Sequence, residues 1–288
     1  MKVLITGASG FLGRFVVKAL SRQGIETIIA GRRRPQGVAA EDFLQIDFLG
    51  SPDYTNLVES SNATHLIHLA WYTEHAKYWT SPLNLRWVEA TVRLTEAFCI
   101  SGGQKVVLAG SCAEYDWSFG YCNETKTPLK PGTLYGVAKD ATRSLVVSLC
   151  AERQVPCAWG RVFYPYGPGE DSRRLIPSLM EVYEGKRAPF GVNAMAYRDF
   201  LHIEDAANAF LTLLQTEASG VFNICSAQPV QIAEIIKIVA RSHHGDPNQV
   251  LALATERPGE PPLLVGDNLR LKSLGWRAQH DLAEYLGQ

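Results

Sequence analysis

The first turn of the chain constrains it most. Lys2-Val3-Leu4-Ile5 is a short apolar run ending in Thr6-Gly7-Ala8-Ser9-Gly10-Phe11-Leu12-Gly13, and apolar side chains then recur at helical spacing. A strand, a glycine turn and a helix in that order make a cradle for a pyrophosphate. Gly7 permits the tight turn, Gly10 lets backbone N–H groups approach the phosphates, and Gly13 lets the helix pack closely on the strand, with its positive N-terminal end facing the anion. Phe11 and Leu12 fall inside the same loop and are expected to touch the bound group.

Further along, short apolar runs bounded by turn residues alternate with longer segments of helical period, the pattern of a parallel sheet built from βαβ units. Strands are expected near Lys2–Thr6, Glu26–Ala30, His65–Leu69, Lys105–Ala109, Pro156–Val162 and Gly220–Ile224. Helices are expected at Phe11–Arg22, Leu83–Cys99, Leu134–Glu152, Ser172–Glu184, Glu204–Leu214 and Ile232–Ser242. The fold class is α/β, a Rossmann-like doubly wound parallel sheet with a smaller C-terminal substrate-binding lobe. The regular alternation ends near position 162, and the remainder is richer in Pro and Gly. A dinucleotide domain over 1–162 and a lobe over 163–288 are therefore expected, with segments around 198–225 returning to the first domain.

The end of the second strand reads the cofactor. An acid there would accept from a ribose 2′-hydroxyl and repel a 2′-phosphate, but the sequence is Ala30-Gly31-Arg32-Arg33-Arg34. Arg32 and Arg33 suit a phosphate through forked hydrogen bonds, so NADPH is favoured and NAD remains possible. The alternative is a solvated basic loop. Asp47 and Phe48 close the next strand, where they can meet an adenine or simply form a turn. Across the whole chain, 28 Lys and Arg balance 29 Asp and Glu, which leaves no excess charge for a nucleic acid or an anionic membrane. No apolar run approaches the roughly 18 residues of a membrane span, and no secretory leader is evident. The six cysteines contain no C-x-x-C pair. A cytoplasmic protein with reduced thiols is expected.

Tyr135-Gly136-Val137-Ala138-Lys139 places a phenol and an ammonium on one face of a helix. At this point the chain resembles the extended short-chain dehydrogenase/reductases, in their nucleotide-sugar epimerase, dehydratase and 4-ketoreductase branch. Further matching segments are His68-Leu69-Ala70, Asn84, Gly110-Ser111-Cys112-Ala113-Glu114-Tyr115 and Arg161-Val162-Phe163-Tyr164-Pro165-Tyr166-Gly167-Pro168. Tyr197-Arg198-Asp199-Phe200-Leu201-His202-Ile203-Glu204-Asp205, Arg257-Pro258-Gly259-Glu260 and Leu274-Gly275-Trp276 complete the set, which covers nearly the whole chain. The resemblance implies Tyr135 as proton donor and acceptor, Ser111 as a second donor to the same oxygen, and Lys139 as the holder of the nicotinamide ribose. A nearby ammonium favours phenolate, so Lys139 is expected to lower the phenol's pKa. Leu69, Ala70, Asn84 and Phe163 join the implied cofactor set. Arg198 and Arg257 are implied diphosphate ligands, although Arg198 can pair with Asp199 and Arg257 with Glu260 instead. The implied partner is a nucleoside-diphosphate sugar. A homodimer through the helices at Leu83–Cys99 and Leu134–Glu152 is also implied.

Departures narrow the reaction. Dehydratases of this type carry an Asp-Glu pair after the catalytic hydroxyl, whereas Cys112 and Ala113 stand here. Cys112 is expected to pack rather than react. Tyr164 replaces the Asn that usually contacts the diphosphate. The favoured reaction is NADPH-dependent reduction of a nucleoside-diphosphate 4-keto-6-deoxyhexose; an NAD-dependent 4-epimerase and a noncatalytic dinucleotide sensor are the alternatives. His68 and His202 sit in apolar runs and read as packed histidines, His243-His244 as a helix end. No metal site is expected. Trp71, Tyr72, Trp79 and Trp87 either line the sugar pocket or form a core or subunit contact.

Overall fold

Val3, Leu4 and Ile5 are completely buried because their strand lies inside a seven-stranded sheet covered on both faces. The order across that sheet is Gly220–Ile224, Cys157–Val162, Lys105–Ser111, His65–His68, Lys2–Thr6, Glu26–Gly31 and Phe43–Gln45, every pair parallel. The computed structural model describes residues 1–257 and 259–287.

Successive strand side chains point to opposite faces, so the apolar runs feed two cores. Val3, Ile5, Val107 and Ala158 pack with the helices Phe11–Arg22 and Ile203–Gln215. Leu4, Leu66, Val106 and Leu108 pack with Leu83–Ile100 and Leu134–Glu152. Connections leave the Lys2–Thr6 strand to one side and the His65–His68 strand to the other, which opens a crevice at the strand carboxyl ends, where such sheets bind ligands.

The smaller lobe pairs Pro229–Gln231, Tyr197–Asp199, Leu263–Gly266 and Tyr121–Cys122 in a second sheet, backed by Leu175–Tyr183 and Ile232–Ser242. Tyr121–Cys122 comes from the first half of the chain, and Gly220–Ile224 in the large sheet comes from the second. Asp199 ties the lobe together: fully buried, it accepts from the backbone N–H groups of Ser226, Ala227 and Gly266 and from the Ser226 hydroxyl.

Most expected elements are present with shifted ends. The helix expected at Ser172–Glu184 is Leu175–Tyr183, the strand expected at Lys105–Ala109 continues to Ser111, and Pro156 stays outside its strand. Two-residue strands and the short helix Tyr54–Ser61 escaped the sequence reading because they are too short to show a period, although Asp53 caps that helix at Asn56 N. Among the described residues, no helix is long and apolar enough to cross a membrane.

Candidate active site

The glycine loop has the geometry its residue types require. Gly7 adopts φ +74°, and a Cβ there would lie 2.6 Å from Ala70 N; a Cβ on Gly13 would collide with the Gly7 carbonyl. Gly10 caps the Phe11–Arg22 helix with no side-chain hydrogen bond, and the first turn contains no acid. The opening N–H groups of that helix are thus left to a ligand.

The loop lines a cleft of about 1540 Å³, larger than the 300–1,000 Å³ typical of a single small-molecule site. Gly7, Gly10, Phe11, Leu12 and Gly13 line it, as do Arg32, Arg33, Asp47, Phe48, Leu69 and Ala70. Arg32 and Arg33 are exposed. Asp47 also accepts from Leu49 N at 3.2 Å, so it serves its turn while facing the cleft. Phe48 is 5% exposed.

Two residues of the expected cofactor set lie behind the wall rather than on it. Phe163 is completely buried, packed with Tyr115, Cys122 and Cys225. Asn84 is buried with its amide fully engaged: Nδ2 donates to Tyr78 O and Ser81 O, and Oδ1 accepts from Trp71 Nε1 at 2.8 Å. It shapes the 71–81 loop, and that loop lines the cleft.

Ser111, Tyr135 and Lys139 all line the cleft. Thr133 caps the Leu134–Glu152 helix, which sets Tyr135 and Lys139 one turn apart on its inner face. Tyr78, Trp79 and Trp71 surround the Tyr135 ring edge-on, with centroids 4.8, 5.7 and 6.4 Å away. Burial pushes the phenol well above its usual range, with the neighbouring Ser111 hydroxyl acting in the opposite direction. Lys139 is not among the groups that move it, so the expected lowering by its ammonium is not seen. Burial also pushes the Lys139 ammonium down to about 7; it donates to Ala109 O at 2.9 Å.

Tyr164, Arg198 and Arg257 also line the cleft. Arg198 does not pair with Asp199. Its guanidinium donates to Tyr197 O and Pro261 O and lies 3.7 Å from Glu260, which Arg257 approaches at 3.5 Å. Two guanidiniums therefore converge on one carboxylate. Pro258, within the expected motif, lies outside the described residues.

Cys112 lines the cleft beside Ser111 yet is only 9% exposed and sits in an apolar cluster. Burial raises its thiol pKa far above the usual value, which disfavours the reactive thiolate. His68 is buried between the Thr6 and Thr91 hydroxyls and pushed down to about 3, hence neutral. His202 caps the Ile203–Gln215 helix and stacks on His280 at 4.0 Å. His243 caps the Ile232–Ser242 helix. Among the described residues, no group of three or more His, Cys, Asp or Glu is placed to hold a metal. Trp71, Tyr72, Trp79 and Trp87 all line the cleft.

Three features went unread in the sequence. Arg14, directly after Gly13, spans to Pro168 O and Gly169 O. Glu170 pairs with Arg174 on the cleft wall, its carboxyl pushed up to about 7 by burial. Glu114 forms a buried ion pair with Arg161 under Ser111. For the last, Ser111-Cys112-Ala113-Glu114 is an S-x-x-E capping box and was the available signal.

Residues 3–225 match the model of the NAD dependent epimerase/dehydratase family. The dTDP-6-deoxy-L-talose 4-dehydrogenase (NAD(+)) of Aggregatibacter actinomycetemcomitans is 24% identical over 85% of this chain and 91% of its own length. The dTDP-L-rhamnose 4-epimerase of Burkholderia thailandensis is 24% identical over 100% of this chain and 93% of its own. The structure of MoeE5 in complex with UDP-glucuronic acid and NAD superposes with a TM-score of 0.85 at 27% identity, covering 99% of this chain and 96% of that one.

Proposed function

The chain belongs to the NAD-dependent epimerase/dehydratase family, and we propose that its reaction is NADPH-dependent reduction of the 4-keto group of a nucleoside-diphosphate 4-keto-6-deoxyhexose. The observation that carries the choice is at the end of the Glu26–Gly31 strand. Gly31 stands where an acid would hold a ribose hydroxyl, and the exposed Arg32 and Arg33 follow it on the cleft wall. Guanidiniums there suit a 2′-phosphate.

The uncapped N-terminus at Gly10 fits a pyrophosphate, and a nicotinamide bound toward Lys139 supplies the hydride when present. Tyr135, kept protonated by burial, gives its proton to the alkoxide that develops at C4. Ser111 donates to the same oxygen, and Lys139 holds the ribose beside it. Arg198 and Arg257 grip the sugar's diphosphate, exchanging part of their contact with Glu260 for it. Tyr164 supplies a phenol where relatives have an amide. With Cys112 and Ala113 after Ser111, the Asp-Glu pair that dehydratases of this type carry there is missing.

A second reading is a 4-epimerase that retains NAD. Its support is the several 4-epimerases among the relatives and the fact that the same three residues can run the proton transfer in both directions. Exposed Leu85, Val137 and Leu145 on the two long helices support a homodimer, since an uncovered apolar stripe favours a partner. The six cysteines, all buried and unpaired, support a reducing compartment such as the cytoplasm.

Tyr135→Phe tests the assignment. The chemical rate is expected to fall by roughly 10²–10⁴ with NADPH affinity nearly unchanged, because only the proton donor is removed. Undiminished turnover of nucleotide-linked 4-keto-6-deoxysugars would remove Tyr135 from the chemistry.

A further inference from the structure

Glu114 has no contact with the open cleft. It is completely buried, and its carboxylate accepts from Ser111 N at 2.8 Å, from Trp159 Nε1 at 2.9 Å and from Arg161 Nε at 2.6 Å. Arg161 is 1% exposed, lies 4.3 Å above the Tyr115 ring, and leaves its Nη1 without a partner. Isolating two charges from water is costly, and apolar residues of similar volume usually serve stability as well or better. An incompletely satisfied buried ion pair directly beneath a catalytic hydroxyl therefore calls for a reason other than stability.

The backbone is shaped around this carboxylate. A Cβ on Gly110 would collide with the Trp159 indole nitrogen and lie 2.6 Å from Glu114 Oε1. The Ser111 hydroxyl oxygen accepts from Ala113 N at 3.2 Å, which leaves its proton free to point into the cleft. The turn then abuts the other half of the site: a Cβ on Gly136, next to Tyr135, would collide with Ala113 O. Glu114 holds the turn from one side, and the Tyr135 helix meets it on the other.

We propose that Glu114 is the positioning residue of Ser111, holding it through its backbone N–H, with Trp159 and Arg161 fixing the carboxylate in turn. The proposal rests on Ser111 donating to the reacting oxygen. It goes beyond the three reacting groups by naming what sets the distance between two of them.

The test compares two charge-free pairs. Glu114→Leu with Arg161→Met removes both charges and the acceptor for Ser111 N–H. Glu114→Gln with Arg161→Met removes both charges and keeps that acceptor. With NADPH and a nucleotide-linked 4-keto-6-deoxysugar, the Leu pair is expected to lose 10- to 100-fold in kcat with both KM values within twofold, and the Gln pair to stay within threefold of wild type. In a Ser111→Ala background the Leu pair should cost less than twofold, because the residue it positions has gone. An equal loss in that background, or an unchanged kcat in the Leu pair, overturns the proposal. Crystal structures supply an arm that needs no turnover: the Ser111 turn is expected to shift in the Leu pair and stay in the Gln pair, and an unmoved turn in the Leu pair contradicts it. If the Leu pair does not fold, Trp159→Phe serves, with an expected loss of about threefold in kcat that vanishes in the Ser111→Ala background; no loss overturns the proposal. Wild-type kcat in Ser111→Ala alone would instead refute the underlying assignment, leaving the crystallographic arm to decide the positioning.

Discussion

The Lys139 ammonium lies 3.7 Å from the centroid of the Trp71 indole ring. Trp71 in turn donates its N–H to Asn84, so the aromatic cover on Lys139 is fixed by a residue that never reaches the cleft. A cation over an indole face is attracted to it, but the same cover excludes water, and burial wins: the ammonium is pushed from 10.5 down to about 7.

That shift makes stability depend on pH in a defined direction. Between about 7 and 10.5 the unfolded chain keeps a proton on Lys139 that the folded chain releases, so wild-type stability gains as pH rises through that window. Lys139→Met removes the penalty. At pH 6 the variant should be more stable than wild type, by at most about 4–5 kcal/mol at ~1.36 kcal/mol per pKa unit, less what the lost bond to Ala109 O contributed. By pH 9 its advantage should shrink by about 2–3 kcal/mol. Urea unfolding at the two pH values checks this, and a gap that stays constant would contradict it.

Asn84 makes the complementary prediction. Asn84→Ala leaves the Trp71 N–H and the Tyr78 carbonyl without partners, and each unsatisfied buried group costs about 1–3 kcal/mol. A loss of about 2–3 kcal/mol in unfolding free energy is expected, together with reduced turnover as the 71–81 loop loosens over Tyr135. A variant as stable as wild type would show that the amide's three hydrogen bonds hold nothing in place.

Much of this site was legible in the chain because its parts are local. Gly7, Gly10 and Gly13 declare their turn, and Tyr135 and Lys139 share a helix, so spacing alone puts them on one face. Ser111 ends a strand whose apolar run is plain. What could not be read was reach across the chain. Asn84 was implied as a ligand by the family resemblance, yet its amide turns back to Trp71 and Tyr78. Arg198 was implied as a diphosphate ligand with Asp199 as the alternative partner, but adjacent strand residues face opposite ways, and its contacts reach 260 and 261 instead. The lobe sheet, with strands of two to four residues gathered from distant positions, offers no period to detect.

Cofactor choice is tested at the end of the second sheet strand. Arg32→Ala combined with Arg33→Ala should weaken NADPH binding by about 1.5–3 kcal/mol for each charged hydrogen bond lost and leave NADH nearly unchanged. Calorimetric titration of both cofactors against both proteins checks it. Equal weakening of the two, or a wild-type preference for NADH, would overturn the NADPH assignment.

In the proposed reduction, hydride leaves the cofactor for good and ends on sugar C4. The direct measurement supplies the enzyme with C4-deuterated NADPH and a nucleotide-linked 4-keto-6-deoxysugar and examines the product for deuterium at C4. Reduction predicts one deuterium per alcohol formed and one oxidised cofactor per product, with no turnover unless cofactor is added. If no labelled alcohol forms from any such ketone, yet the purified protein interconverts 4-epimeric nucleotide sugars without added cofactor, the reductase account is contradicted and the epimerase reading replaces it.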